Sequence, residues 1–187
     1  YKLFWLFLIG AFLGDIVETI FCRLTAGVWM SRSSLVWGPF SIVWGLAIAA
    51  ATALLYKDRE KPDRHLFIIG TVLGGAYEYI CSVFTELVFG KVFWDYSKIP
   101  FNLGGRINLL YCFFWGIAAV IWIKNLYPLF SGWIEKIPVL WGYILTWILA
   151  VFMAVNIAVS SMALIRYDLR AEGKPPKNSV ESIIDER

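Results

Sequence analysis

Five apolar runs, set apart by short polar stretches, dominate the chain: residues 3–24, 38–56, 66–89, 108–127 and 138–165. A helix needs about 20 residues to cross the hydrocarbon core of a bilayer, and each run is close to that length or longer. The pattern predicts an all-α fold, a polytopic integral membrane helical bundle of about five transmembrane helices. Residues 25–37 form the first polar break and "KDREKPDRH" (57–65) the second. The third, "GKVFWDYSKIPFNLGGRIN" (90–108), is long and aromatic, and the fourth, "YPLFSGWIEKIP" (127–138), has a proline near each end. Proline lacks a backbone donor, so Pro128 and Pro138 are expected to bound a break holding at most an interfacial turn of helix. From Arg166 to Arg187 the chain has five basic and five acidic residues and reads as a solvated tail behind a transmembrane domain of residues 1–165.

The first and third runs resemble each other. Residues 7–20, "FLIGAFLGDIVETI", and residues 67–80, "FIIGTVLGGAYEYI", share seven of fourteen positions, among them two glycines and a glutamate. "WGLA" from Trp44 and "WGIA" from Trp115 follow in the second and fourth runs, and the loop before each holds one arginine near the next run, Arg32 and Arg106. The expected organisation is a two-helix unit used twice, about 3–56 and 66–127, followed by a fifth helix at 138–165. Units with two crossings point the same way, which makes this a parallel repeat about an axis along the membrane normal.

Glu18 and Glu78 stand in segments otherwise fit for lipid, where a charged side chain is expensive and marks a functional candidate. Gly10, Gly14 and Glu18 fall at i, i+4 and i+8, as do Gly70, Gly74 and Glu78, so each set shares one helical stripe. Glycines at that spacing let a neighbouring helix approach closely, which aims the glutamates at a helix–helix interface. Arg32 and Arg106 are the expected partners, because a guanidinium can bind a carboxylate with two parallel hydrogen bonds. Two readings stay open: salt bridges that lock the bundle, or a pocket shared by both units that binds a cation, proton or substrate. Asp15, with no counterpart in the second unit, pairs either with Glu18 as an acidic site or with Arg23, and Glu86 is expected at the interface.

Composition agrees with a membrane protein. The chain is 59% hydrophobic with ten tryptophans, and mean hydropathy is +0.67, above the roughly 45–50% apolar content of soluble domains. A net charge of +3 with no dense basic block gives no support for a nucleic-acid partner. Cys22, Cys81 and Cys112 lie in or beside apolar runs without metal-ligand spacing, so they read as packing residues; no metal site or cofactor is expected. The two acids and the internal recurrence argue against a signal peptide at residues 1–24, and a start at Tyr1 leads us to expect missing N-terminal residues. Seven basic residues (Lys2, Lys57, Arg59, Lys61, Arg64, Lys124 and Lys136) gather on the side of the 57–65 loop, which favours a cytoplasmic placement for that loop.

The aromatic loop contains Trp94, Asp95, Tyr96, Asn102, Arg106 and Asn108. Trp94 and Tyr96 suit a membrane–water interface, while the acid, the base and the amides could together form a recognition lid. The run "WDYSKIPFNLGGRINLLYCFFWGIAA" from Trp94, the Gly14-x-x-x-Glu18 spacing and "GPFSIVWG" (38–45) resemble the ABC-transporter type IV family of bacterial integral membrane proteins. The likeness covers the first four runs and continues weakly into the fifth. There the family's usual acid is replaced by Asn156 while Ser160 is kept, and the family's Asn-Arg-Gly in the first loop reads Ser31-Arg32-Ser33.

The resemblance implies a permease-like protein of a bacterial plasma membrane. The chain has no G-x-x-x-x-G-K-[ST] loop, so ATP hydrolysis would need an ATPase subunit. A bundle this small makes a homodimer the expected assembly. Two other classes remain: a structural or regulatory membrane partner without a ligand, and an enzyme acting on a lipid headgroup. The enzyme is disfavoured because His65, the lone histidine, falls on the opposite side from the arginines. The ligand- or ion-binding candidates are Glu18, Glu78, Arg32, Arg106, Asp15, Asp95, Trp94, Tyr96, Asn102 and Asn108.

Overall fold

The computed structural model describes residues 1–185; Glu186 and Arg187, the end of the expected tail, lie outside them. Helix accounts for 74% of the chain. In order come α1 (Lys2–Ala26), α2 (Ile42–Leu55), α3 (Asp63–Phe89), a two-residue antiparallel pairing of β1 (Asn102–Leu103) with β2 (Ile107–Asn108), α4 (Leu109–Ile121), α5 (Tyr127–Glu135), α6 (Val139–Ala171) and α7 (Ser179–Asp185). The architecture is all-α. Four helical segments are long and apolar enough to cross a membrane: Lys2–Ala26, Asp63–Phe89, Leu109–Glu135 and Val139–Ala171.

Two boundaries differ from the sequence pattern, each for a physical reason. The run at 38–56 forms a helix of 14 residues, about 21 Å long, because its first residues belong to a loop that turns back into the bundle. The run at 108–127 does not stop at Pro128. A π-helical turn, Trp122–Leu126, joins α4 to α5, and Tyr127 N–H bonds back five residues to Trp122 C=O. Pro128 then falls in the first turn of α5, where its missing N–H is tolerated.

α1 packs mainly on α2, and α3 on α4. Small residues permit it. A Cβ on Gly10 would stand 2.7 Å from Ile48 Cβ, and one on Gly70 would stand 2.5 Å from Ala119 Cβ, the close approach by which helices associate in lipid. At one end of the bundle Leu6, Leu55, Leu66, Trp122, Ile123 and Ile134 form the core, and Trp122 Nε1 donates to Thr52 Oγ1 at 2.8 Å.

The first loop runs beside α1 rather than away from it. Ser41 N–H donates to Ala11 C=O at 2.9 Å, about 22 Å along the axis from the C-terminal end of α1. Leu35 packs with Leu8 and Met153. Irregular backbone at such depth needs partners from protein, since lipid offers none. Residue Asn156 of α6 supplies them: its Oδ1 accepts from Trp37 N–H (3.2 Å) and its Nδ2 donates to Trp37 C=O (2.7 Å). Ser160 Oγ accepts from Val36 N–H at 2.9 Å. The position where the resembling family carries an acid is thus an amide that clasps one residue's backbone by both polar groups.

α6 is otherwise loosely held. Only 11% of its most apolar stretch is buried, against 28–33% for the other three long segments, so most of its surface is not covered by the rest of the chain. It runs on to Ala171, and α7 folds back onto its end, where Asp185 Oδ2 meets the buried Arg166 Nη2 at 2.5 Å.

Candidate functional site

Gly14 and Gly74 decide where the two Trp-Gly tryptophans lie. A Cβ on Gly14 would stand 2.1 Å from Trp44 Cβ, and one on Gly74 would stand 2.3 Å from Trp115 Cβ. Each indole therefore lies against bare backbone, one turn from a glutamate on the same stripe. Trp44 Nε1 donates to Glu18 Oε1 at 2.9 Å, and Trp115 Nε1 donates to Glu78 Oε2 at 3.2 Å. The two indoles also meet each other, with ring centroids 5.1 Å apart. Glu18 and Glu78 are thereby linked through the two touching indoles. The α1–α2 and α3–α4 pairs thus bring their glutamates to one place, across a pair of tryptophans.

Tyr96 completes the surroundings of Glu78, donating its hydroxyl to Oε1 at 2.7 Å and stacking on Tyr111 at 4.7 Å. Tyr77 sets its ring edge-on to Trp115 at 6.2 Å and donates to Val43 C=O at 2.6 Å. Five aromatic rings therefore gather around the carboxylates: Trp44, Tyr77, Tyr96, Tyr111 and Trp115. Glu78 is buried and Glu18 half-buried. Among the described residues neither forms an ion pair. Their hydrogen-bond donors are the indoles and one phenol.

The expected arginine partners sit elsewhere. Arg106 pairs with Glu86, not Glu78, and its Nη1 donates to Ser82 Oγ at 3.1 Å. That pairing holds the guanidinium more firmly protonated than usual. Glu86 lies two turns beyond Glu78 on the same stripe, so an arginine entering from the loop meets it first. Arg32 is exposed and acts on Glu18 through its charge, without a hydrogen bond to it. Asp15 is buried and takes the Ser31 hydroxyl (2.9 Å to Oδ1) rather than Arg23, which turns to Gly27 C=O.

Most of the aromatic-loop candidates hold the loop itself together. Asp95 accepts from Ser97 N–H (2.8 Å) and Ser97 Oγ (3.0 Å), and the Ser97 amide, with its hydroxyl second, draws the carboxyl below the usual range. Asn102 Nδ2 donates to Ile99 C=O at 2.7 Å while its Oδ1 accepts from Gly105 N–H at 3.0 Å. Asn108, buried, caps α4 by accepting from Leu110 N–H (2.9 Å) and donates to Pro100 C=O (2.6 Å). Trp94 Nε1 donates to Arg106 C=O at 2.9 Å. Only Tyr96 carries the loop to the carboxylates. The sequence missed Trp44, Trp115, Tyr77 and Tyr111 as site residues, although the paired Trp-Gly motif was visible.

On the side of the indoles away from the loops, an apolar cavity of about 260 Å³ runs between α2, α3 and α4. Trp44, Trp115 and Tyr77 border it at one end, and Leu55 and Trp122 at the other. Among the described residues no cluster of His, Cys, Asp and Glu could hold a metal ion.

A family model described as "Putative ABC-transporter type IV" matches residues 5–161. No curated protein and no solved structure matches the chain.

Proposed function

The chain belongs to the ABC-transporter type IV family, and on that basis we propose that it is a permease-like membrane protein whose ligand site is the Glu18–Glu78 pair. The family and the four long apolar helices fit a multi-pass, transporter-like membrane protein. The observation that carries the finer reading is that two carboxylates inside the bundle hold the two indoles of one touching pair and have only neutral hydrogen-bond donors. Buried charges are ordinarily paired; Glu78 has no ion pair among the described residues and half-buried Glu18 has only the unbonded Arg32, which leaves room for a ligand cation or protons. Supporting it is the geometry around them: a loop that turns back into the bundle, one short helix (α2) that begins beside the middle of α1, and two similar helix pairs facing across the site. Binding sites of secondary transporters are commonly built this way, near the midplane at the interface of repeats. In this reading the two units are an internal duplication, the plasma membrane of a bacterium is the location, and a second copy and an ATPase subunit complete the machine.

The test is thermal unfolding of the parent, Glu18→Gln and Glu78→Gln in lipid nanodiscs, with Na⁺, K⁺ and tetramethylammonium at several pH values. The expected result is a cation- or proton-dependent rise in melting temperature in the parent that both folded variants lose. Variants that melt early, beside a parent that no cation or pH change shifts, would make the pair a structural lock and refute the site.

A further inference from the structure

The apolar cavity gives the proposed ligand a body as well as a charge. From Trp44 to Leu55 it follows twelve residues of α2, about 16 Å along the helix. Its walls come from Ala47, Ala51, Leu73 and Ala118, so over that length it offers apolar contact. At the end nearest the loops stand the two indoles and Tyr77, and behind the indoles the two carboxylates. A metal ion or a proton would use the carboxylates alone and leave both the rings and the cavity without a role. Aromatic faces around a cation are the recognition chemistry of organic ammonium groups, which gain from the ring quadrupole and need little dehydration.

We infer that the pair recognises an organic monocation with a slender apolar body: an ammonium head among Trp44, Tyr77 and Trp115, its charge answered by Glu18 and Glu78, and its chain in the cavity. The inference rests on the carboxylate pair being the ligand site and goes further by naming the ligand's class. Charge complementarity selects this occupant over a lipid tail, which would fill the cavity without using either glutamate.

The experiment is binding of n-alkyltrimethylammonium ions, from ethyl to octyl, to the full chain in nanodiscs, read by intrinsic tryptophan fluorescence. Tetramethylammonium and n-octanol are the head-only and body-only controls. The expected result is affinity rising about fourfold per methylene buried. Octanol should bind at least tenfold more weakly than the octyl cation, and the Glu18→Gln/Glu78→Gln double variant should lose that preference. Ala51→Leu, which narrows the cavity and leaves the carboxylates alone, should flatten the chain-length series and keep tetramethylammonium binding. Glutamate-dependent binding of tetramethylammonium with no gain from the chain would overturn this inference and leave the carboxylate site standing. Chain-length dependence that survives the double variant, or an octanol affinity equal to the cation's, would mean an apolar cleft filled by lipid and would overturn the inference through its charge. Absence of binding by every alkylammonium would overturn it outright.

Discussion

Gly74→Ala is the sharpest perturbation of the arrangement. The new methyl would stand 2.3 Å from Trp115 Cβ and 2.6 Å from its Cγ. Trp115 cannot swing away freely, since its indole is fixed by Glu78 at 3.2 Å and by Trp44 at a centroid distance of 5.1 Å. α3 and α4 must therefore separate by about 1 Å or the indole must leave its rotamer, an overpacking that costs about 1–3 kcal/mol. Losing the indole's hydrogen bond to Glu78 adds about 1–3 kcal/mol. Replacing a mid-helix glycine returns about 1 kcal/mol. The net is a loss centred near 3 kcal/mol, or about 6–12 °C at roughly 2–4 °C per kcal/mol for a chain of this size. The assay is thermal unfolding in nanodiscs, with Gly132→Ala as the control, because a Cβ there meets nothing within 4 Å. Gly14→Ala, whose methyl would stand 2.1 Å from Trp44 Cβ, should behave like Gly74→Ala. If Gly74→Ala melts with the control, the indole does not rest on the glycine and the argument fails.

Two further outcomes follow from the clasps around α6. Asn156→Leu strands the N–H and C=O of Trp37 in the bundle, at about 1–3 kcal/mol for each unmet group; amide exchange at residues 33–40 should rise with the fall in melting temperature, and unchanged exchange there would show that Asn156 does not hold the loop. The α7 contact should depend on pH. Its hydrogen bonds from Arg166 draw the Asp185 carboxyl below its usual value. A depressed folded pKa means the stabilisation is complete above the unfolded value, about 3.9, and disappears as pH falls through the folded value. Proteolysis between α6 and α7 by an acid-active protease should therefore accelerate only below about pH 4, and acceleration already at pH 6 would assign the contact to another group.

Four of the five expected spans were legible because continuous apolar length is a coarse signal that survives any rotation of the helix; the run at 38–56 yields a helix of 14 residues and is not among the four. The facing of Glu18 and Glu78 was legible for a related reason, since the four-residue glycine spacing fixes a stripe. Their partners were not. Counting residues gives height along a helix but not which group an incoming side chain meets first, so Arg106 was expected on one of the two glutamates when Glu86, two turns nearer the loop than Glu78, takes it. Trp44 and Trp115 were noticed as signs of repetition, and their role as donors to the glutamates needed the contact of each indole with Gly14 or Gly74. The first loop was hidden for a different reason: its polar backbone is satisfied by Asn156 and Ser160, more than a hundred residues away. Proline at 128 was read as a stop because the rule assumes a regular α-helix, and the π turn before it removes that assumption.

That π turn also acts as a phase shifter. One residue beyond the α-helical count turns everything after it by about 100° around the axis. Ahead of the turn α4 presents Cys112, Gly116 and Ala119 inward; beyond it α5 presents Ser131 and Ile134. The same rod thus serves two differently placed neighbours, α3 through its first half and the foot of α1 through its second. A single-residue deletion at Trp122–Leu126 would leave composition and hydropathy almost unchanged and yet rotate one half of this helix out of register with the other.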